Sequence, residues 1–561
     1  MTLFTRLCCY SRLCLIDCNK FRIFRTYCSK FNEQKQNKYI KYARKVLQQT
    51  KGCVLFNASK FSQYIISPKE FRAENQIIYE LVLAARKNCS KNTHKLLDNR
   101  CADNYKTWPI NEQLFALDVW YFVKHRSNFQ FFEATVRDFL SEFHSLENGP
   151  ALQILYYVGQ MKLQLSAVEA DSIVNHLKNN IDQITFDEVS MQCSTLIKCD
   201  CKVDDTNLIK SLYTLLLTSD LQRYDSIAVS GIIKFVRRFS SLDHISELEA
   251  LQNKLTSYVD AAGHQTGTHI IQMGVKQGAF DTDIIETVIQ RFSKNMNELR
   301  NKDVERVLLS ISTRNYRSEN GIELEFCNLV QKYLLNSLDT NFPDSVINCI
   351  TYLAIFGVAD AKLIDWALRR PIDNIEKSLL VIDSYAKINL ATTYNGHKLS
   401  ENVCADLMKK ASESTTAGKK SNLVYEVSDV LKAHDIYHIL TRAIPYVPFN
   451  DLFFIYNKRT RDTVNILQPN ADGHILNVTN IIKNNPDLEG IAIVPCKNID
   501  SVYNAYRYKG LMQFKLNQLE MNGFKTIAIR SSTWKKYNTE AAKRRYLAME
   551  LCKNDVFLFK L

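Results

Sequence analysis

The feature that most constrains this chain is a regular succession of helix-start signals between residues 112 and 344. An acidic or small residue precedes an apolar-periodic run near Glu112, Ala151, Asp187, Asp225, Gly267, Asp303 and Asp344. Successive starts lie 39, 36, 38, 42, 36 and 41 residues apart, and several lead into two helix-patterned stretches. Such a period is typical of an α-solenoid, in which stacked helix pairs bury the apolar faces that one pair cannot cover. We predict solenoid-like repeats; an irregular helical domain with accidental spacing is the alternative.

The remainder of the chain also favours helices. Only 16 Gly and 10 Pro occur among 561 residues, which suits helices better than a turn-rich β protein. Apolar positions at three- and four-residue spacing predict helices over residues 38–49 and 74–86. The polar stretch 87–107 is predicted to be a loop, and residues 412–421 a loop within a further helical region.

Two prolines, Pro445 and Pro448, are expected to end the helical part of the chain. Residues 457–486 then read as a polar connector. Beyond it, two apolar β-type runs at 491–494 and 526–529 flank a helix-patterned segment, and a second, basic helix is predicted after Trp534. These patterns predict a compact α/β module at the C-terminus.

Positive charge is concentrated at the two ends of the sequence. Residues 1–30 carry six Lys and Arg against one Asp, and residues 505–561 carry twelve against four acidic residues. The net charge of the whole chain is +13, so residues 31–504 are neutral as a group. A basic end of this kind is expected to contact a polyanion, of which RNA and DNA are the usual candidates.

The first 30 residues are Arg-rich, nearly free of acid and contain hydroxyl residues among apolar ones, as mitochondrial presequences do. Arg25-Thr26-Tyr27 followed by Cys28-Ser29 resembles a processing site. We predict a presequence over residues 1–28, with a disordered N-terminal tail as the alternative. The sequence has no uncharged apolar stretch of about 18 residues or more, so we predict no membrane span.

The C-terminal residues carry a family resemblance. Gly510, Lys515, Leu519, Gly523-Phe524 and Arg545-Tyr546-Leu547 resemble the motif of the RAP domain. Together with the presequence, DVWY at 118–121, LQILYYVGQ at 152–160 and IPYVPFNDL at 444–452, they make the chain similar to the FAST kinase domain-containing (FASTK) family. The resemblance implies a restriction-endonuclease-like fold for the C-terminal module. It implies a role in mitochondrial RNA metabolism, in the matrix, in RNA granules or near the nucleoid.

Protein kinase chemistry is not indicated. The sequence has no GxGxxG loop, no HRD-type catalytic loop and no DFG, which a protein kinase needs for phosphoryl transfer. No motif indicates a bound cofactor, and we predict none. The expected organisation is a presequence (1–28), an N-terminal helical region (29–107), a FASTK-like helical repeat array (108–390), a helical region with connector (391–486) and a RAP domain (487–553).

Basic and aromatic residues interleave in the C-terminal module, as they do in proteins that bind single strands through phosphates and stacked bases. The predicted RNA-binding residues are Arg507, Lys509, Lys515, Lys525, Arg530, Trp534, Lys535, Lys536, Lys543, Arg544 and Arg545. The aromatics considered for base stacking are Tyr503, Tyr506, Tyr508, Phe514, Trp534, Tyr537 and Tyr546. Half of these rings are expected in the core, Tyr546 among them, together with Phe524.

A nuclease-like fold also raises the possibility of catalysis, in which carboxylates hold a metal beside a Lys. If Lys497 is that Lys, Pro495 stands at the position of a carboxylate. Asp487, Glu489 and Asp500 would make only a rearranged site. We therefore predict no catalytic residue and no metal, and a fold retained for holding RNA.

Three functions follow from these patterns. We favour an RNA-binding protein that acts in the processing or stability of mitochondrial transcripts, or in translation and ribosome assembly, with RNA-processing or mitoribosome-assembly proteins as further partners. A metal-dependent endoribonuclease of precursor RNA is the first alternative. A scaffold whose helices bind proteins is the second.

Overall fold

The computed structural model describes residues 38–56, 76–87, 91–122, 130–279, 281–336, 338, 343–368, 422–441, 451–465, 481–482, 485–497, 500–502 and 507–558. These residues are mostly helical, with one mixed sheet near the C-terminus. They divide into two compact units, Met1–His269 and Ile270–Leu561, which are described separately. Within the described ranges, no helix is long and apolar enough to cross a membrane. The predicted presequence and the predicted loop at 412–421 lie outside these ranges.

The described part of the first unit is built of helices. They are α1 (38–49), α2 (Gln76–Lys87), α3 (Lys91–Asn104), α4 (Ile110–Phe122), α5 (Gln130–Ser141), α6 (Asn148–Met161), α7 (Ala167–Asn180), α8 (Phe186–Lys198), α9 (Thr206–Thr218), α10 (Ser226–Phe239), α11 (Ile245–Tyr258) and α12 (His264–Ile271), whose last two residues pass the boundary. The predicted helices near 38–49 and 74–86 are confirmed.

The acidic start signals mark real helix starts. Asp225 is the N-cap of α10, and its carboxylate accepts a hydrogen bond of 2.8 Å from the Ile227 N–H. Asp187 lies in the first turn of α8, and Asp303 and Asp344 lie in the first turns of two helices of the second unit. A carboxylate at this end of a helix satisfies free N–H groups and complements the helix dipole. A carboxylate in the cap or first turn therefore marks these four starts, whereas the predicted starts at Ala151 and Gly267 fall inside α6 and α12.

Helices two places apart in the chain pack side by side in the first unit. Thus α6 lies on α8, α8 on α10, and α9 on α11. Small residues allow close approach: a Cβ at Gly159 of α6 would lie 2.8 Å from Thr195 Oγ1 of α8, and a Cβ at Gly231 of α10 would overlap the Ser190 hydroxyl of α8. The repeating period thus corresponds to a repeating packing relation between alternate helices.

The prediction of a loop over 87–107 is wrong for most of that stretch, because residues 91–104 form α3. The side of α3 that packs on α5 buries Leu97 and Cys101 together with the polar side chains of His94 and Asp98. The carboxylate of Asp98 accepts hydrogen bonds from the N–H groups of Gln130 and Phe131 at the start of α5. Burial against α5 therefore overrides the polar composition.

The segment that follows α1 is bound to the faces of α4 and α6. The side-chain amide of Gln153 accepts from the Val54 N–H and donates to the Val54 carbonyl, both at 2.7 Å. The fully buried carboxylate of Asp118 accepts from the Phe56 N–H at 2.6 Å and forms an ion pair with Arg44. Two of the helical stretches that carry the family resemblance, DVWY and LQILYYVGQ, thus hold the N-terminal segment in place.

The second unit begins with helices and ends in a sheet. Its helices are α13 (Thr282–Lys294), α14 (Asn301–Arg314), α15 (Ile322–Leu335), α16 (Pro343–Ile355), α17 (Ala361–Leu368), α18 (Asn422–Ala433), α19 (Gly510–Met521), α20 (Ser531–Trp534) and α21 (Glu540–Cys552). Alternate helices again pack together, α13 on α15 and α14 on α16. Arg314, fully buried at the end of α14, donates hydrogen bonds to the carbonyls of Ile271, Met273 and Ala279. This side chain fixes the connection before α13.

The strands are β1 (Ile439–Thr441), β2 (Asp451–Asn457), β3 (Asp462–Val464), β4 (Leu488–Cys496) and β5 (Phe524–Arg530). The sheet order is β1-β2-β4-β5, with β3 also paired to β2. β2 is antiparallel to its three neighbours, whereas β4 and β5 are parallel. The two predicted strands are confirmed, and so are the helix between them and the helix after Trp534.

The sheet also reaches upstream of residue 487, where the sequence indicated a connector. The buried strand β2 has Leu452, Phe453, Phe454 and Ile455 in succession, all fully buried, and pairs along most of its length with β4. Such a strand is covered on both faces, so its sequence lacks alternation. β3 occupies part of the stretch predicted as connector, whose residues 466–480 lie outside the described ranges.

Candidate nucleic-acid interface

Five cations lie close together after β5, in the turn that follows α20 and in the first half of α21. We call this group, Lys535, Lys536, Lys543, Arg544 and Arg545, the basic face. Lys535, Lys536 and Arg545 are exposed, and the other two are half-buried. Between residues 531 and 545 the only acidic residue is Glu540. A solvated group of this charge attracts phosphates, which release counterions when they are neutralised.

The backbone beneath the basic face is held by caps and rings. Thr539 is the N-cap of α21, and its hydroxyl accepts a hydrogen bond from the Ala542 N–H. The ring of Tyr537, in the turn, stacks on that of Tyr546 in α21 with their centroids 4.9 Å apart. Leu547 and Leu551, on the other side of α21, are buried in the module core. These contacts determine which side of α21 faces the solvent.

Trp534 is not a surface ring. Its side chain is only 1% exposed, and its indole N–H donates a hydrogen bond of 2.8 Å to the Glu426 carboxylate of α18. Lys543 donates to the same oxygen at 2.7 Å and lies 5.4 Å from the centroid of the indole ring. These hydrogen bonds, first that from Lys543 and then that from Trp534, lower the pKa of Glu426 below its usual value. Trp534 therefore anchors the basic face to α18 instead of stacking on a base.

Lys515 is likewise a structural residue. It is 3% exposed, and its ammonium lies 2.7 Å from the carboxylate of Asp451 at the start of β2. Burial raises the pKa of the Asp451 carboxyl, and the Lys515 ammonium offsets part of that shift. A charge pair removed from water in this way does not offer its cation to an RNA phosphate. Lys515 and Trp534, which the sequence suggested as RNA contacts, are therefore buried residues of the module core.

Lys525 lies apart from the basic face, on β5. It is half-buried, and its ammonium is 3.9 Å from the Glu489 carboxylate and 3.6 Å from that of Asp555. The two acids offset its charge, so Lys525 contributes less to an anion-binding surface than the sequence suggests.

Arg507, Lys509 and Arg530 lie near the edge of the sheet where β4 and β5 end. The Arg530 guanidinium is 5.0 Å from the centroid of the Tyr508 ring, and its Nε donates to the Tyr508 hydroxyl at 3.4 Å. Burial lowers the pKa of Arg507 from its ordinary value. Burial also lowers the pKa of Lys509 to about 8, with Asp500 opposing the shift and Arg314 adding to it. This second group is half-buried, and Arg507 and Lys509 are separate in sequence from the basic face.

Lys509 lies in a tight part of the second unit. A Cβ at Gly278, whose φ is +77°, would lie 2.8 Å from the Lys509 side chain and 3.1 Å from the Ser501 carbonyl. The next residue, Gly510, begins α19 where the chain passes the end of α14, and a methyl there would overlap the Ser312 carbonyl oxygen. The start of α19 therefore packs closely against α14, and the side chain of Lys509 packs against Gly278.

The residues considered for a nuclease site are not brought together. Glu489 is the second residue of β4 and Asp500 follows the end of this strand, and seven residues of extended strand span about 23 Å. Glu489 lies 3.8 Å from Lys458, whereas Asp500 accepts a hydrogen bond of 2.8 Å from the Lys497 N–H. Pro495 is buried within β4, opposite Ile529. Asp487, Glu489 and Asp500 do not fit one shared metal ion.

A buried polar group that the sequence did not reveal lies at that same edge. The thiol of Cys496 is buried there, and its pKa is raised mainly by burial and then by the charge of Asp500, whereas the charge of Lys515 opposes the shift. Burial also raises the pKa of the Asp500 carboxyl, against the effects of the Lys497 N–H and the Lys515 ammonium. Asp451 lies 64 residues before its Lys partner, which explains why no local motif shows the pair.

Three of the five described rings considered for stacking are in the core. Phe514, Trp534 and Tyr546 are at most 4% exposed, and Phe524 is buried as expected, at 2%. Tyr508 and Tyr537 are half-buried, and Tyr503 and Tyr506 lie outside the described residues. The described module therefore presents charge to a ligand more than it presents aromatic faces.

Comparison with known proteins supports the family resemblance. The chain is similar to FAST kinase domain-containing protein 5, mitochondrial, of Pongo abelii, with 21% identity over 321 residues, or 55% of this chain and 41% of that protein. The Homo sapiens protein of that name is 22% identical over 55% of this chain and 41% of its own length, and that of Mus musculus is 19% identical over 52% and 39%. The chain thus spans about two fifths of the length of these curated relatives. No protein-family profile matches it.

Proposed function

We propose that this chain, a mitochondrial relative of the FAST kinase domain-containing proteins, binds RNA through the basic face of its C-terminal module. The relatives carry the word mitochondrial in their names, and the N-terminal sequence independently favours import. In this proposal the module is a RAP domain of nuclease-like shape. The alternate packing of helices extends into a solenoid that presents a further surface to the transcript.

The basic face carries the proposal. Five cations fall within the eleven residues 535–545, and three of them are exposed on a backbone fixed by Trp534, Tyr537 and Thr539. Single-stranded RNA offers a flexible row of phosphates that such a surface can neutralise without reading the bases. Specificity for a transcript then has to come from other contacts, of which the helical part of the chain is the natural source.

The cellular role that follows is the maintenance or maturation of mitochondrial transcripts in the matrix. A protein bound to a transcript protects it, exposes or covers a processing site, or supports translation and ribosome assembly. RNA-processing and mitoribosome-assembly proteins are the partners that each of these roles would require.

Crosslinking tests the proposal. The purified full-length chain is irradiated with a single-stranded RNA that carries 4-thiouridine, and the crosslinked peptides are mapped by mass spectrometry. We expect crosslinks in residues 531–552, and their loss when Lys535, Lys536, Arg544 and Arg545 are changed to Glu. A chain that crosslinks to no RNA, or only through other segments, would contradict a role for the basic face. Recovery of proteins but no RNA from matrix extracts would favour the scaffold alternative.

The endoribonuclease alternative has a separate test. Asp487, Glu489 and Asp500 do not gather around one site, and Asp451 is already paired with Lys515, so the described geometry favours binding. We expect no cleavage of a labelled mitochondrial precursor RNA by the purified chain with or without Mg²⁺. Cleavage that needs Mg²⁺ and is abolished by Asp500→Asn would overturn the binding-only proposal. Asp182→Asn provides the control, because Asp182 is an exposed carboxylate in the turn between α7 and α8 and is not one of the three candidate residues.

A further inference from the structure

Three helices of the first unit bring their C-terminal ends into one row. The Cys199 thiol, at the end of α8, donates to the Val158 carbonyl of α6 at 3.6 Å. The Arg238 guanidinium of α10 donates to the Ile197 carbonyl of α8 at 3.5 Å and forms an ion pair with Asp200. The ends of α6, α8 and α10 are therefore neighbours.

Each of these helices contributes a lysine to the row. Lys162 is the C-cap of α6, in the left-handed region with φ 53°, and Lys198 is the last residue of α8. Lys234 lies one turn before Arg238 on the same face of α10, since residues four apart in a helix share a face. Gly231, a turn earlier, lies against Ser190 and Ser194 of α8 without room for a side chain. This close approach brings Lys234 beside Lys198.

An aromatic ring completes the group. The Lys198 ammonium lies 3.5 Å from the centroid of the Tyr39 ring of α1, within the range of a cation–π interaction. Burial lowers the pKa of Lys198 to about 7, and Lys234 and Lys162 add to the shift while Cys199 opposes it. An ammonium group whose charge is disfavoured by two neighbouring lysines is stabilised when an anion binds beside it.

We propose that Lys162, Lys198 and Lys234, beside Tyr39, form a second phosphate-binding site for single-stranded RNA, on the helical unit of the chain. This inference rests on the proposed function and adds a binding site distant in sequence from the basic face. The ligand is the phosphodiester backbone, because ammonium groups neutralise phosphates without regard to base identity. A lysine near the end of a helix also stabilises the helix dipole, and the test must separate the two roles.

The test compares two double variants of the full-length chain. In Lys198→Gln/Lys234→Gln the cluster loses two charges. In the control, Lys178→Gln/Lys210→Gln, the same unit loses two lysines that pair with acids, Lys178 with Asp205 at 2.8 Å and Lys210 with Glu247 at 4.0 Å. The probe is a fluorescein-labelled 20-nucleotide oligouridylate, titrated between 50 and 200 mM KCl (roughly the range over which phosphate contacts dominate).

We expect the cluster variant to bind the RNA about tenfold or more weakly. The slope of log Kd against log salt should fall by about 1.4, or about 0.7 for each phosphate that is no longer neutralised. The control should bind as the wild type does. A cluster variant with wild-type affinity and slope would overturn the inference. If the thermal stability of that variant also fell, the lysines would serve only to stabilise the helix ends. The inference would also be overturned if the cluster variant still bound RNA but no longer bound polyglutamate of similar length. That result would indicate an acidic protein as the partner of the lysine cluster.

The two sets of variants also distinguish this inference from the proposed function. If charge reversal of the basic face weakens RNA binding while the cluster variant does not, the second site fails and the proposed function stands. If the wild-type chain does not bind the oligouridylate or a mitochondrial transcript, the proposed function fails and the inference fails with it.

Discussion

The ammonium of Lys515 and the carboxylate of Asp451 lie 2.7 Å apart inside the C-terminal module, and both side chains are almost completely removed from water. Lys515 belongs to α19 and Asp451 to the first position of β2. The pair therefore ties the helix between the two parallel strands to the antiparallel part of the sheet. Its role is in the fold of the module, which in turn fixes the direction of the basic face.

Changing Lys515 to Met should lower the free energy of unfolding by about 3–5 kcal/mol, because it leaves a buried carboxylate without its partner. Urea denaturation of the full-length chain measures the loss, provided that the C-terminal unit is followed by its own spectroscopic signal. The double variant Lys515→Met/Asp451→Asn should lose less than the two single changes together. Lys525→Met is the control, since its partly exposed ion pairs contribute at most about 1 kcal/mol. A Lys515→Met chain as stable as the wild type would contradict the structural role.

Changing Gly510 to Ala should loosen the packing of α19 on α14. A methyl group there overlaps the Ser312 carbonyl oxygen, and overpacking of this kind costs about 1–3 kcal/mol. Hydrogen exchange of the α19 amides should rise with the loss of stability. Gly263→Ala is the matched control, because its nearest neighbour is the Ser226 hydroxyl at 3.6 Å. Equal exchange rates in both variants would show that the packing at Gly510 is not tight.

Changing Glu426 to Gln should weaken the attachment of Trp534 and Lys543 at neutral pH. The folded-state pKa of Glu426 lies below its ordinary value, so the unfolded chain binds more protons between the two pKa values. The stabilisation is therefore present above about pH 4.5 and is lost as the pH falls through the lowered pKa. Unfolding free energies of wild type and Glu426→Gln, followed by tryptophan fluorescence from about pH 7 to about pH 3.5, should converge at the acid end. A constant difference over this range would rule out the charge of Glu426 as the cause.

The sequence predicted the helices well because their boundaries are local. Asp225 and Asp187 sit at helix starts where a carboxylate is stabilising, and the period of these starts survives in the structure. Strands β4 and β5 were likewise visible as apolar β-type runs. The stretch that forms α3 was not, because its helix depends on burial of Leu97 and Cys101 against a neighbour.

The site was predicted in part. The cations of the basic face are adjacent in sequence, so their clustering could be read directly, and three of them are exposed. Lys515 and Trp534 were placed among them because their burial depends on Asp451 and Glu426, which lie 64 and 108 residues earlier in the chain. Partners that are far apart in sequence leave no local pattern. For the same reason, the sequence did not predict β2 or the lysine cluster of the helical unit.

The salt dependence of RNA binding tests the central claim most directly. The test variant of the full-length chain has four Glu substitutions, at Lys535, Lys536, Arg544 and Arg545. The control variant has four Glu substitutions at exposed lysines outside the basic face, Lys95, Lys106, Lys302 and Lys332. We predict that the first variant binds single-stranded RNA more weakly and that its slope of log Kd against log salt falls by about 2–3, since each phosphate left without its cation removes about 0.7. The control should keep most of the affinity and slope. An unchanged affinity and slope in the first variant would contradict the claim that the basic face holds RNA.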